Sequence, residues 1–294
     1  MRFALSDEQL RFAESLHELL SGMDTPAVVR AWGAGQSEPG RKLWRRLGDL
    51  GVPALLVPER FGGLDATAVD LVVAFEVLGY HAVPGPIVET AAVAPGMLDD
   101  ERLARLATGE LLVTVAAPHA LDADVATLVG GGSVGERVPS VDAARRLFEV
   151  TGGTVPESAL QPGVLAVSAQ LLGLGRWLLD ASVAHAKQRS QYGRVIGQFQ
   201  AIKHLLADVA TQLELARPLV HGAAVTLAPR DVSAAKVAAG EAAYLAARTA
   251  LQVHGAVGYT AEHDLGLWFT KVRALVGAWG SANRHRRRIL ESLP

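Results

Sequence analysis

The chain has 294 residues, half of them hydrophobic, with a formal net charge of −2 and no cysteine. That charge gives no support to a nucleic-acid partner or an anionic membrane surface, both of which favour a basic chain, and the missing cysteine excludes disulfides and thiolate metal sites. The length allows one long domain or two to three subdomains. No run of about 18 uninterrupted apolar residues occurs, and the opening Ser6-Asp7-Glu8-Gln9 reads as a helix capping box rather than a signal peptide, so a soluble cytoplasmic protein is expected.

From Ser6 to Ser21 the positions Leu10, Phe12, Ala13, Leu16, Leu19 and Leu20 recur at helical spacing. Leu43 to Leu50 and Val69 to Leu78 repeat the pattern around the Gly/Pro-rich turn Val57 to Gly63, and Glu89 to Leu98 predicts one more helix. Residues 1–110 are expected to form an all-helical domain. The texture changes at Glu110: Leu111 to Val115, Ala126 to Val129 and Leu147 to Val150 are short, partly β-branched runs bounded by Gly and Pro. They predict a small sheet of three or four strands over 111–157. Gly130-Gly131-Gly132-Ser133-Val134-Gly135 fits G-x-G-x-x-G, but Pro139 follows too soon for the glycines to open a helix. A glycine-rich hairpin turn is expected instead of a dinucleotide fingerprint.

Over 158–294 the chain turns helical again. Val164, Val167, Leu171, Leu174, Leu178 and Ala181 form one stripe, and Ile202, Leu205, Val209, Leu213, Ala216, Val220 and Ala223 the next. Both step by three and four residues, the period of antiparallel bundles. Ala235, Ala239, Ala242, Ala246 and Ala250 give a third helix a face of small side chains, and segments near Leu265 to Leu275 and Ser281 to Leu293 close a four- or five-helix bundle. The nine histidines show no i, i+4 pair completed by a carboxylate, so no metal is expected. Ser190 has no adjacent base, which leaves nucleophilic hydrolysis at that serine without support. Arg284, Arg286, Arg287 and Arg288 read as a solvated helix face.

The segment Arg189 to Asp208 joins the first two bundle helices. Gly193 and Gly197 would supply the positive φ angles of a tight junction, and Arg189 and Arg194 bracket it with charge. Two readings stay open on physical grounds: an anion site, or an arginine that caps a helix terminus beside ordinary polar residues.

Arg189-Ser190-Gln191-Tyr192-Gly193, followed by Phe199-Gln200 and then Ala207-Asp208, resembles the signature of acyl-CoA dehydrogenases. Leu251 to Thr260, which contains Gln252, Gly255 and Gly258, resembles the same family's Gln-x-x-Gly-Gly-x-Gly-Tyr segment, and Pro58 to Gly63 its Pro-Glu-x-Tyr/Phe-Gly-Gly. The resemblance implies a mainly α fold: an N-terminal helical domain, a reduced middle β region and a C-terminal bundle. It also implies FAD chemistry that removes the α and β hydrogens of an acyl-CoA thioester. In its terms Arg189, Gln191 and Gln200, with Gln252, Gly255 and Gly258, would reach the pyrophosphate and adenine half of a flavin held mainly by a neighbouring subunit. Ala256 replaces a common glycine there.

The family's catalytic glutamate occupies one of two places. One here reads Ala278-Trp279-Gly280-Ser281, with Trp279 at the glutamate position, and the other reads Gln161-Pro162-Gly163-Val164-Leu165. The expectation is therefore a degenerate subunit without a catalytic base, its pocket closed by Trp279. It would complete the FAD site of a second, catalytic acyl-CoA dehydrogenase subunit that holds most of the acyl-CoA. Such α2β2 heteromers resemble those of bacteria that degrade steroid side chains. The rivals are a homo-oligomeric flavoenzyme using Glu262 or Asp264 as base, and a scaffold that has lost flavin.

Overall fold

The computed structural model describes residues 4–116, 118–260 and 263–293. The chain begins with α1 (Asp7–Ser21), α2 (Thr25–Gly33), α3 (Glu38–Asp49), α4 (Ala68–Tyr80) and α5 (Asp100–Ala107). Its β region consists of β1 (Val113–Val115), β2 (Ala120–Leu121), β3 (Thr127–Val129), β4 (Ser133–Val138) and β5 (Leu147–Thr151). The bundle follows: α6 (Glu157–Gln188), a small hairpin of β6 (Ser190–Gln191) and β7 (Arg194–Val195), α7 (Gln200–Thr226), α8 (Pro229–His254), α9 (Leu265–Gly277) and α10 (Ala282–Glu291). The fold is mainly α, with two helical portions around a reduced β region.

The capping box at Ser6 forms in both directions, through Gln9 N–H to Ser6 Oγ at 3.2 Å and Ser6 N–H to Gln9 Oε1 at 3.0 Å. Helix α2 was not expected from the sequence. Its start is written by Asp24, whose carboxylate accepts from the Ala27 N–H, and by Pro26 in its first turn. The helix expected over Glu89 to Leu98 does not form as an α-helix. Residues Glu89–Val93 make a π-helical turn and Ala94–Gly96 a 3₁₀ turn, because Pro95 has no N–H to donate and its ring crowds the preceding turn.

Helix α6 is long and apolar enough to cross a membrane by length and composition alone, yet 78% of its most apolar stretch is buried inside the protein. It is the core helix, packed against α4, α7 and α8. Its contact with α4 is backbone to backbone: a Cβ on Gly173 would lie 1.9 Å from the Glu76 carbonyl oxygen, and one on Gly79 would lie 2.2 Å from that of Gln170. The alanine face of α8 is buried throughout, which lets α6 and α7 approach closely.

The β region is two small sheets. β1 pairs parallel with β3, while β2, β5 and β4 form an antiparallel sheet in that order, with a bulge between Val134 and Arg137. Gly130, Gly131 and Gly132 all have positive φ. They do not turn a hairpin between β3 and β4, which are unpaired. The glycines run instead against residues 152–154, with Thr154 N–H donating to Gly130 O at 3.0 Å. The absence of side chains serves this close approach, and no helix follows.

Candidate functional site

The junction after α6 is built by its backbone. Arg189 caps α6, its N–H donating to His185 O, and the chain reverses through Tyr192 at φ 53° and Gly193 at φ 77°. Two central residues with positive φ are the requirement of a two-residue hairpin whose twist matches its strands. Gly197 plays another part than expected. It does not adopt a positive φ; a Cβ there would lie 3.0 Å from Ala186 O, so the glycine lets the chain pack on the end of α6.

The hairpin projects into solvent. Arg189, Gln191 and Gln200 are exposed, and Tyr192 is 92% exposed. Arg194 stacks over the Phe199 ring at 4.2 Å, and Tyr192 meets the same ring edge-on, which stiffens the hairpin against the start of α7. The second motif lies alongside, since the His185 and His254 rings are 4.3 Å apart and join the carboxyl ends of α6 and α8. His263 stands 5.2 Å from His254. Burial first, then the neighbouring charges, lowers the pKa of His185, with Arg189 and His263 adding to the effect. Burial likewise outweighs the His254 hydrogen bond to Ala250 O.

Within the second motif Gln252 is exposed. Gly255 has φ 63° and ψ −141°, a conformation reserved for glycine, and no heavy atom lies within 4 Å of where its Cβ would stand. Gly258 is enclosed: its Cβ would be 2.9 Å from Leu265 Cδ2 and 3.2 Å from His254 Cβ, so it serves packing. The face thus offers a guanidinium fork, side-chain amides and an open backbone at Gly255, a donor set that suits an anionic diphosphate.

At the other end of α9 the two expected base positions meet. Trp279, at φ 59°, is 8% exposed, and a Cβ on Gly163 would lie 3.2 Å from its indole Cζ3 and 2.7 Å from Val93 Cγ2. Left-handed backbone on a bulky residue costs on the order of 1–3 kcal/mol. It is held by His285, which bridges Trp279 O (3.1 Å) and Ser233 Oγ (3.2 Å), and by Lys236, whose ammonium donates to Leu275 O and Val276 O. Neither base position carries an acid. Gln161 donates to Glu157 Oε1 at 2.7 Å, and Glu157 also pairs with Arg288.

Of the rival bases, Glu262 lies outside the described residues. Asp264 is tied to Arg30 at 2.6 Å in a half-exposed ion pair, and α9 separates it from Trp279 by roughly 20 Å at ~1.5 Å per residue. The indole does not fill all the space around it, as a cavity of about 360 Å³ remains, lined by Trp279, Glu89, His119 and Arg145 among others. Glu89 is 4% exposed, one of its oxygens has no hydrogen-bond partner, and burial raises its pKa to about 7 against the pull of Arg145. Sequence reasoning missed this residue. The signal was a lone acid within the apolar run Ile87 to Val93.

The profile described as "Acyl-CoA dehydrogenase, N-terminal domain" matches residues 6–120, and that described as "Acyl-CoA dehydrogenase, C-terminal domain" matches residues 151–293. The acyl-CoA dehydrogenase IpdE2 of Mycolicibacterium smegmatis is 31% identical over 309 residues, covering 97% of this chain and 98% of its own. The structure of the ChsE4-ChsE5 complex from Mycobacterium tuberculosis contains a chain with a TM-score of 0.85 at 22% identity, covering all of both chains. The Tcur3481-Tcur3483 steroid acyl-CoA dehydrogenase (ACAD) gives 0.86 at 21% identity, over 97% of each. The chain belongs to the acyl-CoA dehydrogenase family.

Proposed function

We propose that this chain is the non-catalytic subunit of a heteromeric, FAD-dependent acyl-CoA dehydrogenase, completing the flavin site of a catalytic partner. The observation that carries the reading is the meeting of Trp279 and Gly163, where the two positions at which the family keeps its base face each other with no carboxylate at either. An α-proton of a thioester is removed only by a base within hydrogen-bond reach, and an indole is none. Bound FAD would supply the acceptor for the hydride of the acyl β-carbon.

The contribution of this chain lies at the exposed hairpin. Arg189, with Gln191 and Gln200, would hold the pyrophosphate and adenine half of the cofactor, and Gly255 would leave room for close approach of the backbone. Gln252 stands on the rim, and Gly258 keeps the turn packed. This face can serve a flavin seated in a neighbouring chain because its donors point into solvent instead of into their own fold. The reduced β region, with β4 exposed along its length, supports the same division of labour. The three units of the chain are assigned as 1–110, 111–157 and 158–294.

A steroid-derived acyl-CoA, bound mainly by the partner, is the substrate class suggested by the neighbour described as a steroid ACAD. Two-chain assembly is suggested by the same neighbour and by the ChsE4-ChsE5 complex. The reading includes no membrane or nucleic-acid partner and a cytoplasmic location. Purification of the chain alone and co-expressed with its partner, reading flavin absorbance near ~450 nm, tests it. Colour is expected only in the complex. A yellow chain on its own, turning over acyl-CoA, would assign the chemistry to it, with Glu89 as the first residue to replace.

A further inference from the structure

The cavity beside Trp279 holds a buried carboxyl oxygen without a hydrogen-bond partner and a half-buried arginine. Glu89 enters its inner wall from the π-helical turn, almost fully buried, with Oε2 unpartnered. Leaving a buried carboxyl oxygen without a partner is costly. Arg145 stands at the same cavity, half-buried between Ala144 and Arg146. The neighbouring ion pairs are Arg146 with Asp122 and Asp124, and Lys271 with Asp142. They leave Arg145 without a carboxylate in salt-bridge range among the described residues. Most of the remaining wall is apolar, formed by Pro118, Leu147, Ala274 and the Trp279 indole among others, with His119 and Ser140 as its further polar side chains.

We propose that this cavity is a binding site for a small free hydroxy-acid with a compact hydrocarbon body, its carboxylate held by Arg145 and its hydroxyl paired with Glu89. Arginine presents a planar fork that matches a carboxylate in two bonds. The unpaired oxygen of Glu89 asks for one donor or acceptor, which a hydroxyl supplies in either protonation state. The volume, about 360 Å³, lies at the small end of ligand sites and fits a single ring with its substituents. The proposal goes beyond the role in completing a partner's flavin site, since it needs neither flavin nor partner. Occupancy would supply a partner for Glu89 Oε2 and a carboxylate for Arg145 at the seam between the helical portions and the β region.

Calorimetric titration of the purified full chain with cis-3-hydroxycyclohexanecarboxylate, cyclohexanecarboxylate and cyclohexylmethanol tests it, with tryptophan fluorescence as a second readout compared between the parent and Trp279→Phe. The hydroxy-acid is expected to bind best, the plain acid about tenfold more weakly and the alcohol not measurably, as loss of a charged hydrogen bond dictates. Arg145→Gln should weaken both acids at least about tenfold. Glu89→Met should keep the plain acid and lose the preference for the hydroxyl. The series on the parent chain decides the matter even if a variant fails to fold. Equal binding of acid and alcohol, no binding of either acid, unchanged affinity in a folded Arg145→Gln, or binding of the corresponding acyl-CoA thioester but not the free acid would each overturn the proposal.

Discussion

The helical frame and the β region are held by different forces. In the frame, α4 and α6 touch through Gly79 and Gly173, and α8 offers its neighbours a buried alanine face; the forces there are apolar burial and close packing. The β region shares that core through Val113, Val115 and Val129 of its first sheet, but its second sheet is fastened by ions as well. Asp122, wholly buried, accepts from Trp32 Nε1 and Arg146 Nε at 3.0 Å each, Arg146 reaches Asp124 at 3.0 Å and lies over the Trp32 ring, and Lys271 stands 3.9 Å from Asp142. β4, in contrast, is exposed along its length. A sheet this small cannot bury enough apolar surface to dock by itself. The difference teaches that the frame resists changes of volume, whereas the sheet of β2, β5 and β4 answers to changes of charge as well.

Trp279 lies on the seam, so Trp279→Glu should bring the largest loss. It removes the indole packed against Gly163 and places a carboxylate in the cavity that already holds Glu89. Lost packing plus an unpaired charge predicts about 5 kcal/mol by urea unfolding, with no gain of acyl-CoA turnover. A loss below about 1 kcal/mol would mean that the indole is not part of the seam. Arg146→Ala breaks the ionic fastening and should cost about 3–4 kcal/mol, since Asp122 is left buried and unpaired. Replacing Arg146 and Asp122 together by apolar residues should recover part of that loss. Equal losses in the single and double variants would place the fastening elsewhere.

The third prediction uses pH to separate the two regions. Burial raises the Glu89 carboxyl from 4.5 to about 7. Between those values the folded chain keeps a proton that the unfolded chain has released, so stability falls as pH rises through that window and stays lower above it. Burial pushes Asp122 in the same direction against Arg146. Glu89→Gln removes the Glu89 part. At about 1.4 kcal/mol per pH unit, the variant should exceed the parent by roughly 3 kcal/mol at pH 8 and match it near pH 4. Parallel stability profiles for parent and variant would show that Glu89 does not titrate in this window.

How much of this was legible follows the same division. Periodicity marked the frame because apolar stripes such as Val209, Leu213, Ala216 and Val220 are what a buried helix face requires. Helix α2 escaped because its apolar content is short, though Asp24 and Pro26 announced its start. The turn at Glu89 escaped because periodicity is blind to one proline in an apolar run. Strand β4 was missed since its exposed residues carry no alternation. The Trp279 position was readable by resemblance alone. That Gly163 faces it, and that Glu89 and Arg145 share a cavity beside it, are facts of tertiary contact between segments far apart in the chain.

The smallest effect on stability should come from Arg189→Ala, and it is the sharpest probe of the frame's exposed edge. Arg189 donates its backbone N–H to His185 O whatever its side chain, so the cap survives substitution. The guanidinium itself is exposed, and exposed charges contribute at most about 1 kcal/mol to folding. Its value would lie in the assembled complex, where loss of a charged hydrogen bond to a diphosphate should weaken flavin retention by about 1.5–3 kcal/mol. Arg189→Lys should restore part of that, because an ammonium keeps the charge but not the fork. The measurement is flavin content and melting temperature on the same co-purified sample. Lower flavin at an unchanged melting temperature assigns Arg189 to the cofactor. A lower melting temperature with flavin intact would assign the guanidinium to the dipole at the carboxyl end of α6 instead.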